Sequence, residues 1–154
     1  MKCVLYKVYC VKKGFTLLEV VIVMAIVGIL ALVAYPSYRD TITRAHRSDG
    51  QSALLDLANR MEQFYSEHNT YQSAQIATGG DLDVLSQSTS SGKWYTLSIS
   101  NATDTGYFLK AIPRGAQGTL DTHCQSLTFN HLGEKNIASG PNGAPTKTAE
   151  FCWG

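Results

Sequence analysis

Glu19 interrupts an otherwise apolar run, FTLLEVVIVMAIVGILALVAY, whose only other polar side chain is Thr16. A carboxylate costs a few kcal/mol wherever such a run lies in lipid, so it implies a partner or a function. The cysteines at 3, 10, 124 and 152 are the next candidates, for disulfides or for metal. Zinc is disfavoured, because His123 and His131 do not fall at ligand spacing with a second cysteine pair. Asp81 and Asp83 offer hard oxygen donors for calcium, but the polar stretch around them lacks the further ligands a site needs. His46 and His68 read as solvated, on the charged side of a helical pattern. No phosphate-binding glycine loop, HExxH or nucleophile elbow occurs, and the histidines show no triad spacing. Enzyme chemistry and a cofactor are therefore not expected.

The elements that must position these groups follow from the distribution of polarity. The chain has 154 residues, enough for one domain, and a formal charge of +1. The apolar run covers 21 residues, 15–35. As a helix it would be about 31 Å long, the thickness of a bilayer core. Lys2, Lys7, Lys12 and Lys13 precede it with no acidic residue. The positive-inside rule then keeps the N-terminus cytoplasmic and sends the body outward. With those lysines set aside, 9 basic and 12 acidic side chains remain, formally −3. A net-acidic body argues against nonspecific nucleic-acid binding. The run is longer than a secretory signal core, lacks a small-x-small site after it and contains Glu19, so an anchor is favoured over a removed signal.

Pro36 removes a helical hydrogen bond just past the run, and Gly28 is a second weak point or a close packing position. From 37 to about 68 the pattern is helical again. Leu54, Leu57, Met61 and Phe64 form one apolar stripe, which Tyr38, Ile42 and Ala45 extend upstream. Arg39, Asp40, Arg44, Arg47, Asp56, Arg60 and Glu62 form the expected solvated face. Residues 69–92 read as a long polar loop with one short element around 82–85. Alternation then marks strands at Tyr95, Leu97 and Ile99, at Tyr107, Leu109 and Ala111, and at Leu127 and Phe129, with a fourth at 135–138. A long N-terminal helix laid on four antiparallel strands makes an α+β roll. The last stretch, 139–154, is Gly/Pro-rich except for Phe151, Cys152 and Trp153.

The segment Lys12-Lys13-Gly14-Phe15-Thr16-Leu17-Leu18-Glu19-Val20 resembles the prepilin peptidase site of type IV pilins and pseudopilins. The likeness continues to Pro36. It implies a leader at 1–14, a transmembrane and assembly helix at 15–36, and a periplasmic, later extracellular, globular domain at 37–154. It implies cleavage between Gly14 and Phe15 by a membrane peptidase, and N-methylation of Phe15. Glycine leaves the scissile backbone unobstructed. The leader is longer than those common in the family, and initiation at Val11 in place of Met1 would shorten it. The new Phe15 amine lies four residues from Glu19. It is a charge partner either within the chain or, as the resemblance implies, between neighbouring subunits in a filament.

With the leader gone, Cys124 and Cys152 are an even pair in an oxidising compartment. Their bridge would close a loop worth roughly 3.5 kcal/mol in the chain-entropy model, and many pilins carry such a C-terminal disulfide. The resemblance implies a structural subunit, major or minor, of a type IV pilus for adhesion, twitching motility or DNA uptake. Its partners would be other pilin subunits, prepilin peptidase, the inner-membrane assembly platform and the inner membrane itself. A type II secretion pseudopilin is an alternative that the cysteine pair opposes. GYFLKAIPRGAQ, CQSLTFNHLGEK and CW resemble the PilE-like and ComP-like subgroup, which raises a DNA-receptor alternative. Lys93, Lys110, Arg114, Lys135 and Lys147 with Trp94 and Trp153 could line a strip for phosphates and bases. An ordinary solvated surface is the competing reading.

Overall fold

The computed structural model describes residues 14–154. The leader lysines, Cys3, Cys10 and Val11 lie outside the described residues. Helix α1, Leu17–His68, is 52 residues long and contains Pro36. Its residues divide between two compact units, one ending at Arg39 and the other Asp40–Gly154.

In the first unit the apolar side chains from Phe15 to Tyr35 stand exposed. The helix is long and apolar enough here to cross a membrane, and none of the apolar window is buried.

The second unit is built on the remainder of α1. Leu54, Leu57, Ala58, Met61 and Phe64 are buried, as their helical spacing demands. Upstream, the expected stripe is not the buried one. Tyr38 and Ala45 are exposed, and the buried positions are Thr43, Arg47 and Gly50. The face turns polar there because it meets a polar cluster, described below, in place of the apolar side of the sheet.

Strand β2, Asp83–Leu85, is the short element expected around 82–85; β1, Gln75–Ile76, pairs with it in parallel where only loop was expected. Strands β3, Tyr95–Ala102, β4, Tyr107–Pro113, β5, Ser126–Asn130, and β6, Lys135–Ala138, form an antiparallel sheet in that order. β3, β4 and β5 follow the alternation in the sequence and β6 the fourth short strand at 135–138, and the pairing puts Leu97 opposite Ala111 and Ala111 opposite Leu127, all buried on the helix side. The register slips between Ile99 and Asn101, where β3 leaves the core. Two short helices were not expected, α2, Gly115–Leu120, and α3, Ala149–Trp153. The result is an α+β fold, a long N-terminal helix with its second part on a four-stranded antiparallel sheet.

Gly50 is where α1 comes closest to the sheet. A Cβ there would lie 2.7–2.9 Å from the ring of Tyr95. That ring is fully buried and its hydroxyl is held by Gln117, so it has little room to move. Gly50→Ala should therefore destabilise the chain by about 1–3 kcal/mol, although alanine is the better helix former. Chemical unfolding of the detergent-solubilised protein measures this; an unchanged or raised midpoint would show that the ring gives way freely.

Candidate functional site

Gly14, Phe15 and Glu19 lie together at the start of the apolar helix. Glu19 occupies the first turn of α1, where a carboxylate complements the helix dipole. Its backbone N–H donates to Thr16 Oγ1 at 3.2 Å, and its side chain is exposed. Phe15 is 83% exposed. An acid at one helical end, surrounded by exposed apolar side chains, suits contact with another apolar body.

The second unit is organised around Asp121, whose side chain is wholly buried. Arg47, expected on the solvated face, grips it with both prongs, Nε to Oδ2 at 2.9 Å and Nη2 to Oδ1 at 2.8 Å. The Cys124 N–H donates to Oδ1 at 3.3 Å and Gln117 Nε2 to Oδ2 at 3.2 Å. Gln117 also donates to the Thr43 carbonyl and the Tyr95 hydroxyl, and its Oε1 lies 3.1 Å from His46 Nδ1. His46 stacks on Trp94 at 3.7 Å, so it is not a simple solvated histidine. Beside this network Cys124 and Cys152 form a disulfide, with Cα atoms 5.6 Å apart.

At the far end of α1, Glu62 accepts hydrogen bonds from both Tyr71 and Tyr107 at 2.9 Å. Burial, then those bonds to a carboxylate, raise both phenols above their ordinary range. Burial pushes Tyr95 up to about 12, against the opposing bond with Gln117. Asp83 accepts the N–H groups of Thr78 and Gly79 and the Thr78 hydroxyl. Desolvation acts to raise its pKa, but these donors outweigh it and hold the carboxyl below its usual value. Its role is thus to close a turn. Among the described residues no group of three or more His, Cys, Asp or Glu is placed to hold a metal ion.

The five cations singled out from the sequence do not share one surroundings. Lys93 sits on an exposed turn with φ 61°, and Arg114 is the exposed N-cap of α2. Lys110 Nζ donates to the Ser139 carbonyl at 3.0 Å. Lys135 lies 5.4 Å over the Trp153 ring. Lys147 alone joins other cations. It, Arg44 and Arg47 lie 5.7, 5.8 and 5.9 Å from the centroid of Phe151. These residues and His123 line an open cleft of about 280 Å³, with Asp40 and Asp121 as its acids. Arg44, His123 and Phe151 were missed as a group; no spacing in the chain announces a cluster drawn from α1, the segment before β5 and the tail.

Residues 36–128 match the family described as type IV minor pilin ComP, DNA uptake sequence receptor, and residues 11–35 match the prokaryotic N-terminal methylation motif. The chain is 30% identical over 114 residues to fimbrial protein EcpC of Eikenella corrodens, covering 70% of this chain and 71% of that one. It is 37% identical over 83 residues to type IV major pilin protein PilE of Neisseria gonorrhoeae, covering 54% of this chain and 47% of that one. The match to type IV major fimbrial protein FimA of Dichelobacter nodosus is 40% over 73 residues, 47% of this chain and 42% of that one. This chain thus spans under half the length of those two relatives. A crystal structure of the Neisseria meningitidis non-core minor pilin PilV aligns with a TM-score of 0.48 at 20% identity, over 68% of this chain and 95% of that one. The chain belongs to the type IV pilins, in the family described by the minor pilin ComP.

Two outcomes follow for the globular unit. Asp121→Ala leaves the Arg47 guanidinium buried and unpaired, and should cost about 3–5 kcal/mol. Arg47→Ala should cost a similar amount, and the double variant much less than the sum; additive losses in a double-mutant cycle would show that the two do not act as a pair. The alkaline limit comes from the tyrosines. Because the folded pKa of Tyr95, about 12, exceeds its ordinary 10.0, the stability it adds is full below pH 10 and lost as pH rises through about 12. Tyr95→Phe should flatten the fall in stability across that window, as read from unfolding midpoints at stepped pH. An unaltered slope would place the alkaline loss elsewhere.

Proposed function

We propose that this chain is a type IV pilus subunit made as a precursor, cut between Gly14 and Phe15 and N-methylated on Phe15. Residues 15–36 hold it in the inner membrane, N-terminus cytoplasmic, with 37–154 outside, until the assembly platform transfers it to an extracellular filament. One coincidence carries this reading: the methylation-motif match ends where the exposed apolar part of α1 ends, and Glu19 stands in its first turn. In a filament, that apolar surface exchanges lipid for the same surface of neighbouring subunits. Glu19 then pairs with a neighbour's Phe15 amine and sets the axial step. The role is structural rather than enzymatic.

A second reading, DNA receptor within the filament, is favoured by the family matched over residues 36–128, whose description is a DNA uptake sequence receptor. A pseudopilin is disfavoured by the Cys124–Cys152 bridge.

Glu19→Leu separates a filament subunit from an anchored protein. Leucine is easier to place in lipid, so insertion and processing should proceed normally. Incorporation into sheared surface filaments should fall sharply, and Glu19→Asp should restore part of it. Mass spectrometry of the wild-type sheared fraction should find N-methylated Phe15 as the first residue. Normal incorporation of the leucine variant would make Glu19 only a partner for its own N-terminus.

A further inference from the structure

The tail brings Lys147 to the cations of α1 for a reason that stability does not supply. Arg47 is neutralised by Asp121 through two short hydrogen bonds. Arg44 and Lys147 make no ion pair among the described residues. Both are exposed, yet both lie over the one ring of Phe151, which is itself 43% exposed. Two cations held near each other repel, and an exposed cation–π contact returns only about 0.5–1 kcal/mol. The cleft also holds His123, whose Nδ1 lies 2.9 Å from Thr146 Oγ1. Asp40 is the countercharge on the rim, and it leaves the cleft net positive with Arg47 and Asp121 cancelling.

We propose that this cleft binds a phosphate group, clamped between Arg44 and Lys147 beside Phe151, and that a DNA strand supplies it. The DNA part rests on the receptor reading above; the phosphate site does not. An arginine fork and a flexible ammonium are the two side chains best suited to a phosphate oxygen pair. The half-exposed ring adds a face on which a base or sugar can rest. The site is composite. Arg44 comes from α1, whereas Lys147 and Phe151 lie in a tail that the Cys124–Cys152 bond fastens beside Asp121 and His123. The disulfide therefore assembles the site as well as restraining the fold.

The test uses the full mature chain in detergent and a DNA duplex, with affinity measured by fluorescence anisotropy across a salt series. Arg44→Gln, Lys147→Gln and the pair are compared with Arg60→Gln, an exposed cation outside the cleft. The double variant should lose at least about fivefold in affinity, and its slope of log affinity against log salt should shrink by about 1, one phosphate contact. Arg60→Gln should change neither, and reducing the disulfide should reproduce the double variant's loss. Unfolding midpoints of the glutamine variants verify that the fold is intact. In parallel, inorganic phosphate should shift the NMR side-chain signals of Arg44 and Lys147 in the wild type. Wild-type DNA binding that survives in the double variant overturns the cleft and leaves the receptor reading standing. No DNA binding with a phosphate response retains the site and overturns DNA as its source. Silence in both assays overturns the proposal.

Discussion

The buried ion pair of Arg47 with Asp121 is the constraint on which the second unit depends. A carboxylate with no exposed surface is tolerable only when its charge and its lone pairs are met, and here four donors meet them. Because the four donors come from three places in the chain, satisfying one acid fixes several elements together. Arg47 commits α1, Gln117 commits α2, and the Cys124 N–H commits the strand entry that carries the disulfide. Gln117 then relays the constraint to Tyr95 on β3, and Tyr95 to Gly50, where α1 lies close enough that only a glycine fits. Apolar packing of Leu54, Leu57 and Met61 supplies the gross stability of the helix on the sheet. The polar cluster decides where along the helix the sheet sits.

That division of labour explains what could be read from the chain and what could not. Leu54, Leu57, Met61 and Phe64 repeat at helical spacing and turn the face they should. Tyr107, Leu109 and Ala111 alternate and make β4. Both are local patterns, and burial follows from them directly. Arg47 is different. Its burial depends on an aspartate 74 positions away, and nothing in its own neighbourhood distinguishes it from the exposed Arg44 one turn earlier. The same holds for Tyr38 and Ala45, which continue an apolar spacing but meet no apolar partner. Helix α2 was obscured by the two glycines in GAQGTL, and α3 by the Gly/Pro-rich tail before it. The pairing of Cys124 with Cys152 was legible by counting; the cation cluster it brings together was not, because three separated segments build it.

The two parts of α1 also answer to different solvents. From Phe15 to Tyr35, Thr16 and Glu19 apart, the side chains are apolar on every side, a composition that suits lipid or a crowd of similar helices. From Asp40 on, one face is buried and the other is polar, as for any helix on a sheet. The family matches over residues 11–35 and 36–128 fall on these two environments in turn.

The disulfide has a further consequence for the chain's survival as one piece. It joins residues 28 apart, and the segment between them holds β5, β6, the exposed turn at Leu132 and Gly133, and the whole open stretch before α3. A protease that cuts anywhere in that segment opens the loop but releases nothing, since both fragments stay covalently joined through sulfur. The cut ends remain pinned to the same strands and to the same wall of α1. The exposed loops between the two cysteines are thus ones in which a nick releases no fragment.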